Sequence, residues 1–515
     1  MQTERRVVKS PEPKVAVGPL LPVVLCLCAG IAAGQGNAAD HAPASGEKLI
    51  RVDLGQYTPG TIPGGIGEPV EESRHVADEW EKNHPGRRIK YQLMINTGTT
   101  EGEWLKTQLI GGIAPDIVTM NTEVAWQAID KDWFVPLDKF LQRPNPYIPG
   151  NKHWLDSFAN LALTNSKRAP NGKLYCITLD TVETGLFYNM TLLKKLGIAK
   201  PPETWTEMLD AFKVIRDAGF TPMTAQGNLA SDWGQDIVFE MIYHDLLPLL
   251  DPIPSPSDIK DYQAYFLDPP EGGFLFSKGF FSSRDPRWRE VNRLVKEWRQ
   301  YWARELKFSD PLRLFFTGRL AILWDGSWTI RRLAKDPYID FDWDIGYIPS
   351  ITRETSRFAS GSPATLIGGA AMQVHITNSA VHNGTLEDCV DFLMYLSAPQ
   401  NVERITKEAL LFMPNVKGAK MDDRLQPFAE IFKRKSCAIQ WMEAMDPEYK
   451  KVWRRWLDYY LEDGFSLEEY LKVLDENFAA WVKSHERDAA WDFSAMEATW
   501  QTRKEVLLRE LDPVR

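Results

Sequence analysis

Between Lys48 and Met120 the hydrophobic period alternates repeatedly between that of a strand and that of a helix, and this alternation restricts the fold more than any other feature of the chain. Leu49-Ile50-Arg51-Val52-Asp53-Leu54 reads as a strand that ends in the Gly/Pro/Thr-rich loop Tyr57 to Gly67. A helix is expected from about Pro69 to His84, with Val76 and Trp80 on one face and Pro85-Gly86 as its stop. Ile89, Tyr91, Leu93 and Ile95 then alternate with polar residues, which is strand spacing. Asn96 to Thr99 turn the chain into a helix opened by Thr100-x-x-Glu103, a capping box, and Pro115 to Met120 supplies a third strand. Such a βαβ succession predicts an α/β fold built on parallel, doubly wound sheet, with ligand residues in the loops at the carboxyl ends of its strands.

The chain has 515 residues, too many for one ordinary core, so two lobes are expected. Its 44% hydrophobic and 25% charged residues describe a folded globular protein. Net charge is −10 with no long basic run beyond the N-terminus, so no nucleic acid partner is expected. Arg5, Arg6, Lys9 and Lys14 precede an apolar stretch from Val15 to Ala33 and small residues through Ala39, so residues 1–39 read as a signal peptide for export to the periplasm. Two alternatives stay open: an uncleaved anchor, against which Pro19 and Pro22 argue, and lipid attachment at Cys28, where Leu27 departs from the lipoprotein pattern. Of the remaining cysteines, Cys176, Cys389 and Cys437, the spacing fits neither a zinc site nor a dense disulfide framework, and one disulfide remains open. The eight His show no ligand spacing, and no metal or cofactor is expected.

Further along, Thr204-x-x-Glu207 caps a helix that carries Trp205, Met208, Leu209, Phe212 and Ile215 on one face and stops at Gly219. Another helix is expected from Thr385 to Ala398, ended by Pro399. Asp251 to Pro286 is rich in Pro, Ser, Asp and Gly and reads as a long insertion, and from about Asp446 the chain is helical.

Tyr175 to Gly219 contains Asp180-Thr181-Val182-Glu183-Thr184-Gly185-Leu186-Phe187-Tyr188-Asn189 and Pro201-Pro202-Glu203-Thr204-Trp205. A strand reaching an acidic loop, a Tyr-Asn pair and a Pro-Pro-x-Thr-Trp helix start resemble the extracellular solute-binding proteins of family 1, the group that includes maltose-binding protein. Ala114 to Val118, Phe315 to Ala321 running into Gly326-Ser327-Trp328, Gly368-Gly369 before Thr377-Asn378-Ser379, and the Thr385 to Pro399 helix agree in order. The resemblance covers roughly Lys48 to Lys420 and implies a type II periplasmic-binding-protein-like fold: two doubly wound lobes, a hinge and a ligand cleft between them. Lobe 1 is placed at 47–165 and 345–400 and lobe 2 at 166–344 and 401–485, with an insertion at about 246–286 and a helical tail at 486–515. The resemblance further implies a monomer that captures a mono- or oligosaccharide by hinge closure and delivers it to the permease subunits of an ABC importer. Thr97, Asp116 and Glu123 match first-lobe cleft positions, and Asp180, Glu183, Trp233 and Trp328 match second-lobe positions.

Those residue types suit a sugar. Hydroxyls need carboxylate or amide partners when buried, and aromatic rings cover the C–H faces. Trp126 near Glu123, Trp233 after Asp232, and Trp324 and Trp328 around Asp325 place indoles beside acids, which adds Asp325 to the candidates. Trp80, Trp104, Trp205, Trp453, Trp456 and Trp481 lie on helices and are assigned to core. Two alternatives remain. A glycoside hydrolase would also place acids beside tryptophans, although no Gly-x-Ser-x-Gly elbow, His-Glu-x-x-His helix or phosphate loop is present. A protein for another solute, such as a sugar phosphate, would need cationic groups, for which Arg331 and Arg332 are available if they are not simply exposed.

Overall fold

The computed structural model describes residues 47–92, 101–126, 128–169, 171–225, 233–250, 267, 269–303, 310–364, 368–433, 447–487 and 493–511. Two sheets organise them. The first has the order β2 (Arg87–Tyr91), β1 (Lys48–Val52), β3 (Ile117–Thr119), β10 (Gln373–Ile376) and β4 (Cys176–Thr178). The second runs β11 (Met413–Pro414), β5 (Asp180–Asn189), β7 (Leu320–Gly326) and β6 (Thr221–Ala225), with β8 (Trp343–Gly346) and β9 (Gly368–Ala370) also paired to β5.

The doubly wound expectation holds for the N-terminal part of the first sheet, where β1 is parallel to both β2 and β3. β10 is antiparallel to β3 and to β4. The reason is its origin: β10 enters from the second sheet through Ala371-Met372 and not by a helical crossover, so it starts at the carboxyl edge of its neighbours and runs back. β4 leaves by the same edge, and Leu179 is the single residue between it and β5.

Helix boundaries follow local chemistry. The first helix spans Glu72–Asn83 and buries Val76 and Trp80. Trp205–Asp217 starts with a complete capping box, in which Thr204 Oγ1 accepts from the Glu207 amide at 3.2 Å and the Glu207 carboxylate accepts from the Thr204 amide at 3.2 Å. Leu386–Leu396 ends before Pro399, which opens the next helix, Pro399–Ala409, where its missing N–H costs nothing. Thr100 lies outside the described residues.

The chain passes between the sheets in three regions, between β4 and β5, between β9 and β10, and back and forth from Pro399 to Phe428, and these cut across the expected lobes. β4 belongs to the first sheet, although its residues were placed in lobe 2. β9 pairs with β5, although it falls in the span given to lobe 1. The helix Pro399–Ala409 packs Val402 and Ile405 into the core of the first sheet. Beyond it, β11 lies on β5, Val416 returns to the first core, and Leu425 and Phe428 fill a small core on the second sheet. Asn415 ties these passages together: its amide donates to the Leu179 carbonyl at 2.9 Å, its Nδ2 donates to the Thr178 carbonyl at 3.2 Å, and its Oδ1 accepts from the Asn160 amide at 2.7 Å.

The expected insertion and tail form one structure with the second sheet. Leu247, Leu250, Phe274, Phe280 and Phe281 share a core with Leu186 and Trp205 and with Trp453, Trp481, Trp500 and Leu507 from the C-terminal helices. Asp475 accepts from the Ser283 amide at 3.0 Å, and Arg287 pairs with Glu510 at 2.8 Å. The alternating charges of these helices lie on their outer faces while the tryptophans face inward, so the segment reads as polar in composition and is apolar where it packs. Cys176 and Cys389 are buried, and Cys437 lies outside the described residues. No helix among the described residues is long and apolar enough to cross a membrane.

If the C-terminal helices belong to this core, Trp481→Ala, at a position 1% exposed, lowers unfolding free energy by about 3–5 kcal/mol in a denaturant titration. A change under about 1 kcal/mol would make them an appendage.

Candidate functional site

β5 begins at the passage between the sheets, and its first residue, Asp180, is wholly buried there. The Tyr57 hydroxyl donates to Asp180 Oδ2, and the Met372 amide donates to Oδ1 at 2.8 Å. Tyr57 comes from the loop after β1, and Met372 from the passage between β9 and β10, so one carboxyl joins three segments. Burial pushes the Asp180 pKa up to about 7, against the opposing pull of these two donors. Burial and the neighbouring Asp180 raise the Tyr57 phenol well above its usual range. Next along β5, Thr181 Oγ1 donates to the Gly369 carbonyl at 2.8 Å.

Two residues beyond Thr181, Glu183 is buried, and its Oε1 accepts from the Thr184 amide at 3.1 Å. The pairing of Gly185 with Asp325 puts Glu183 and Asp325 on one face of the sheet, while Trp324 and Leu186 point to the other. Asp325 Oδ1 accepts from the Gly326 amide at 2.9 Å and Oδ2 from Thr329 Oγ1 at 2.6 Å. Burial raises its pKa to about 6, opposed by Thr329, Gly326 and the Trp328 side chain. Ser327 fixes the turn that follows, its amide donating to the Glu183 carbonyl at 2.9 Å and its Oγ to the Leu411 carbonyl at 2.7 Å. Trp328 then opens the helix Thr329–Lys335 and is 38% exposed, so part of its ring faces solvent. Asp180, Glu183, Asp325 and Trp328 thus gather around β5, the end of β7 and the adjacent passages.

The other candidates are not brought there. Asp116 stands at the amino end of β3, away from the passages, with Oδ2 accepting from the Arg51 amide at 2.8 Å and Oδ1 from Asn383 Nδ2 at 2.9 Å and Thr385 Oγ1 at 3.2 Å. Its oxygens fix a junction in the first lobe, which corrects the cleft assignment. Trp233 packs partly buried against the larger core, on the face of the second sheet opposite Asp325. Thr97 lies outside the described residues. Glu123 falls in the helix Thr122–Trp126 at the carboxyl end of β3, and its side chain is likewise not described. Nor is Arg331 exposed: it is 2% accessible, and its guanidinium donates to the carbonyls of Ile66, Glu68, Glu408 and Ala409 at 2.6–3.0 Å. That cation is spent on backbone, which removes it from any phosphate site.

Tyr57 is the residue that the sequence reading left in a loop. Its signal was available, because an aromatic directly after the first strand of a doubly wound unit stands where such folds hold ligands. Among the described residues no group of three or more His, Cys, Asp or Glu is placed to hold a metal ion.

Two sheets joined by these passages have a type II periplasmic-binding-protein-like fold. Solved structures agree in fold. The solute-binding protein RafE in complex with raffinose superposes with a TM-score of 0.56 at 16% identity, covering 84% of this chain and 99% of that one. The cyclic alpha-maltosyl-1,6-maltose binding protein of Arthrobacter globiformis gives 0.54 at 17% identity, covering 85% and 100%. In sequence, residues 67–251 match the profile of the bacterial extracellular solute-binding proteins. The multiple sugar-binding protein of Streptococcus mutans is 25% identical over 155 residues, 30% of this chain and 33% of that protein. The melibiose/raffinose/stachyose-binding protein MelE of Bacillus subtilis is 23% identical over 261 residues, 50% of this chain and 54% of that protein. The chain therefore spans between a third and about half of the length of these relatives.

The raised pKa of Asp180 has a definite sign in stability. Unfolded, the group releases its proton near pH 4, whereas folded it holds the proton to about 7. The folded state binds more protons across that window, so its contribution to stability is present below about pH 4 and is lost as pH rises to about 7. The melting temperature of the wild type relative to Asp180→Asn should therefore fall between about pH 5 and pH 8, by an amount equivalent to roughly 2–4 kcal/mol. Parallel profiles for the two proteins would mean that Asp180 is ionised in the fold at all these pH values.

Proposed function

We propose that this protein captures a carbohydrate between the units built on its two sheets and delivers it to an ABC-type membrane importer. The observation that carries the reading is Trp328: a part-exposed indole at the end of β7, beside the passages that join the sheets and next to the carboxylates of Asp325 and Glu183. An indole face suits the C–H groups of a sugar. The sugar-binding names of the two relatives support the same class of ligand. Capture follows from differential contact: a ligand that touches both units only when they approach shifts the equilibrium toward the closed form. Residues 1–39 then serve as the export signal to the periplasm, and the protein acts as a monomer that binds and releases without altering its ligand.

A panel of neutral mono- and oligosaccharides tests this. At least one should raise the melting temperature, shrink the radius of gyration and leave no new reducing ends. Trp328→Ala should weaken that binding by roughly tenfold to a hundredfold, the loss of about 1–3 kcal/mol of stacking and burial. Release of reducing ends would assign a hydrolase, and unchanged scattering at saturating sugar would remove hinge closure.

A further inference from the structure

The backbone around Trp328 is built for that ring. Position 326 admits no side chain larger than hydrogen with the ring in place, because a Cβ there would overlap the six-membered ring of Trp328. The six-membered ring of the indole therefore occupies the space beside Gly326, the last residue of β7, while part of the side chain reaches solvent. Ser327 holds the intervening turn by its two bonds to the Glu183 and Leu411 carbonyls. Asp325, immediately before the glycine, is fully buried, and its carboxylate is occupied by the Gly326 amide and Thr329 Oγ1, with the Trp328 side chain as a further donor. Its oxygens thus bind the two residues that flank Ser327-Trp328, and none of its surface faces a ligand.

We infer that Asp325 and Gly326 are positioning residues that fix the Trp328 ring in its ligand-ready pose before any sugar arrives, and that Asp325 does not itself touch the sugar. This assignment rests on the carbohydrate reading above for its meaning, but the ring's pose is measurable without ligand. Fixing an aromatic platform in advance lowers the ordering cost of binding, which is where the affinity arises.

The test is fluorine NMR on the full chain labelled with fluorotryptophan, the Trp328 resonance being assigned by Trp328→Phe. Asp325→Asn and Gly326→Ala are expected to shift or broaden that resonance in the unliganded protein and to weaken saccharide binding roughly threefold to thirtyfold. Thr329→Val, which removes a partner of Asp325 without touching the ring, controls for general damage to the turn and should have the smaller effect on both. If Asp325→Asn weakens binding while the Trp328 resonance stays in place, Asp325 contacts the sugar and the inference fails. It also fails if the resonance moves with no change in affinity, or if neither changes. Should the wild type bind none of the saccharides, the carbohydrate reading falls, while the resonance still decides whether these two residues hold the ring.

Discussion

Burial of Asp180 at the junction of the two sheets is the constraint on which the rest of the architecture depends. A carboxyl without solvent needs donors, and here they come from the loop after β1 and from the passage into β10. The same few residues carry the chain from one sheet to the other, since Leu179 alone separates β4 from β5. Asn415 closes the arrangement from the third passage, bonding to Thr178 and Leu179. The relative placement of two large cores is therefore decided by a small polar seam, in which every donor replaced by an apolar group leaves an acceptor stranded.

This seam explains what was legible in the sequence and what was not. Local signals were readable wherever one residue's chemistry decides one turn: the Thr204 capping box, the strand period at β1 and β2, and the inward face of Trp205–Asp217. The resemblance placed the acidic strand and the Gly326-Ser327-Trp328 turn together. It did not separate acids by partner. Asp116 and Asp325 look alike as acids beside apolar strands, yet Asp116 is consumed by Arg51, Asn383 and Thr385, the last two more than 260 positions away. Long-range hydrogen bonds of this kind have no period and leave no local mark. Arg331 was misread for the same reason, because its four carbonyl acceptors come from two distant segments.

Lobe limits moved for a related cause. Hydrophobic pattern announces a strand but not the sheet that receives it, and β4, β9 and β10 are only three or four residues long. Only pairing assigns them. The insertion and the C-terminal helices were seen as departures from a compact pattern. Their real relation is mutual: Phe274 meets Trp500 edge to face at 6.2 Å, and Lys278 reaches Glu497 at 2.5 Å.

That interleaving sets the order in which the polypeptide can mature. The core begun at Leu186 receives Trp500 and Leu507 from the helix Ser494–Leu511, and the first sheet cannot be completed until β10 has been made. Neither half can finish while the ribosome is still working through the middle of the message. The larger core is complete only once Ser494–Leu511 has been made, so a stop codon within that last helix removes part of a core that begins more than 300 residues earlier.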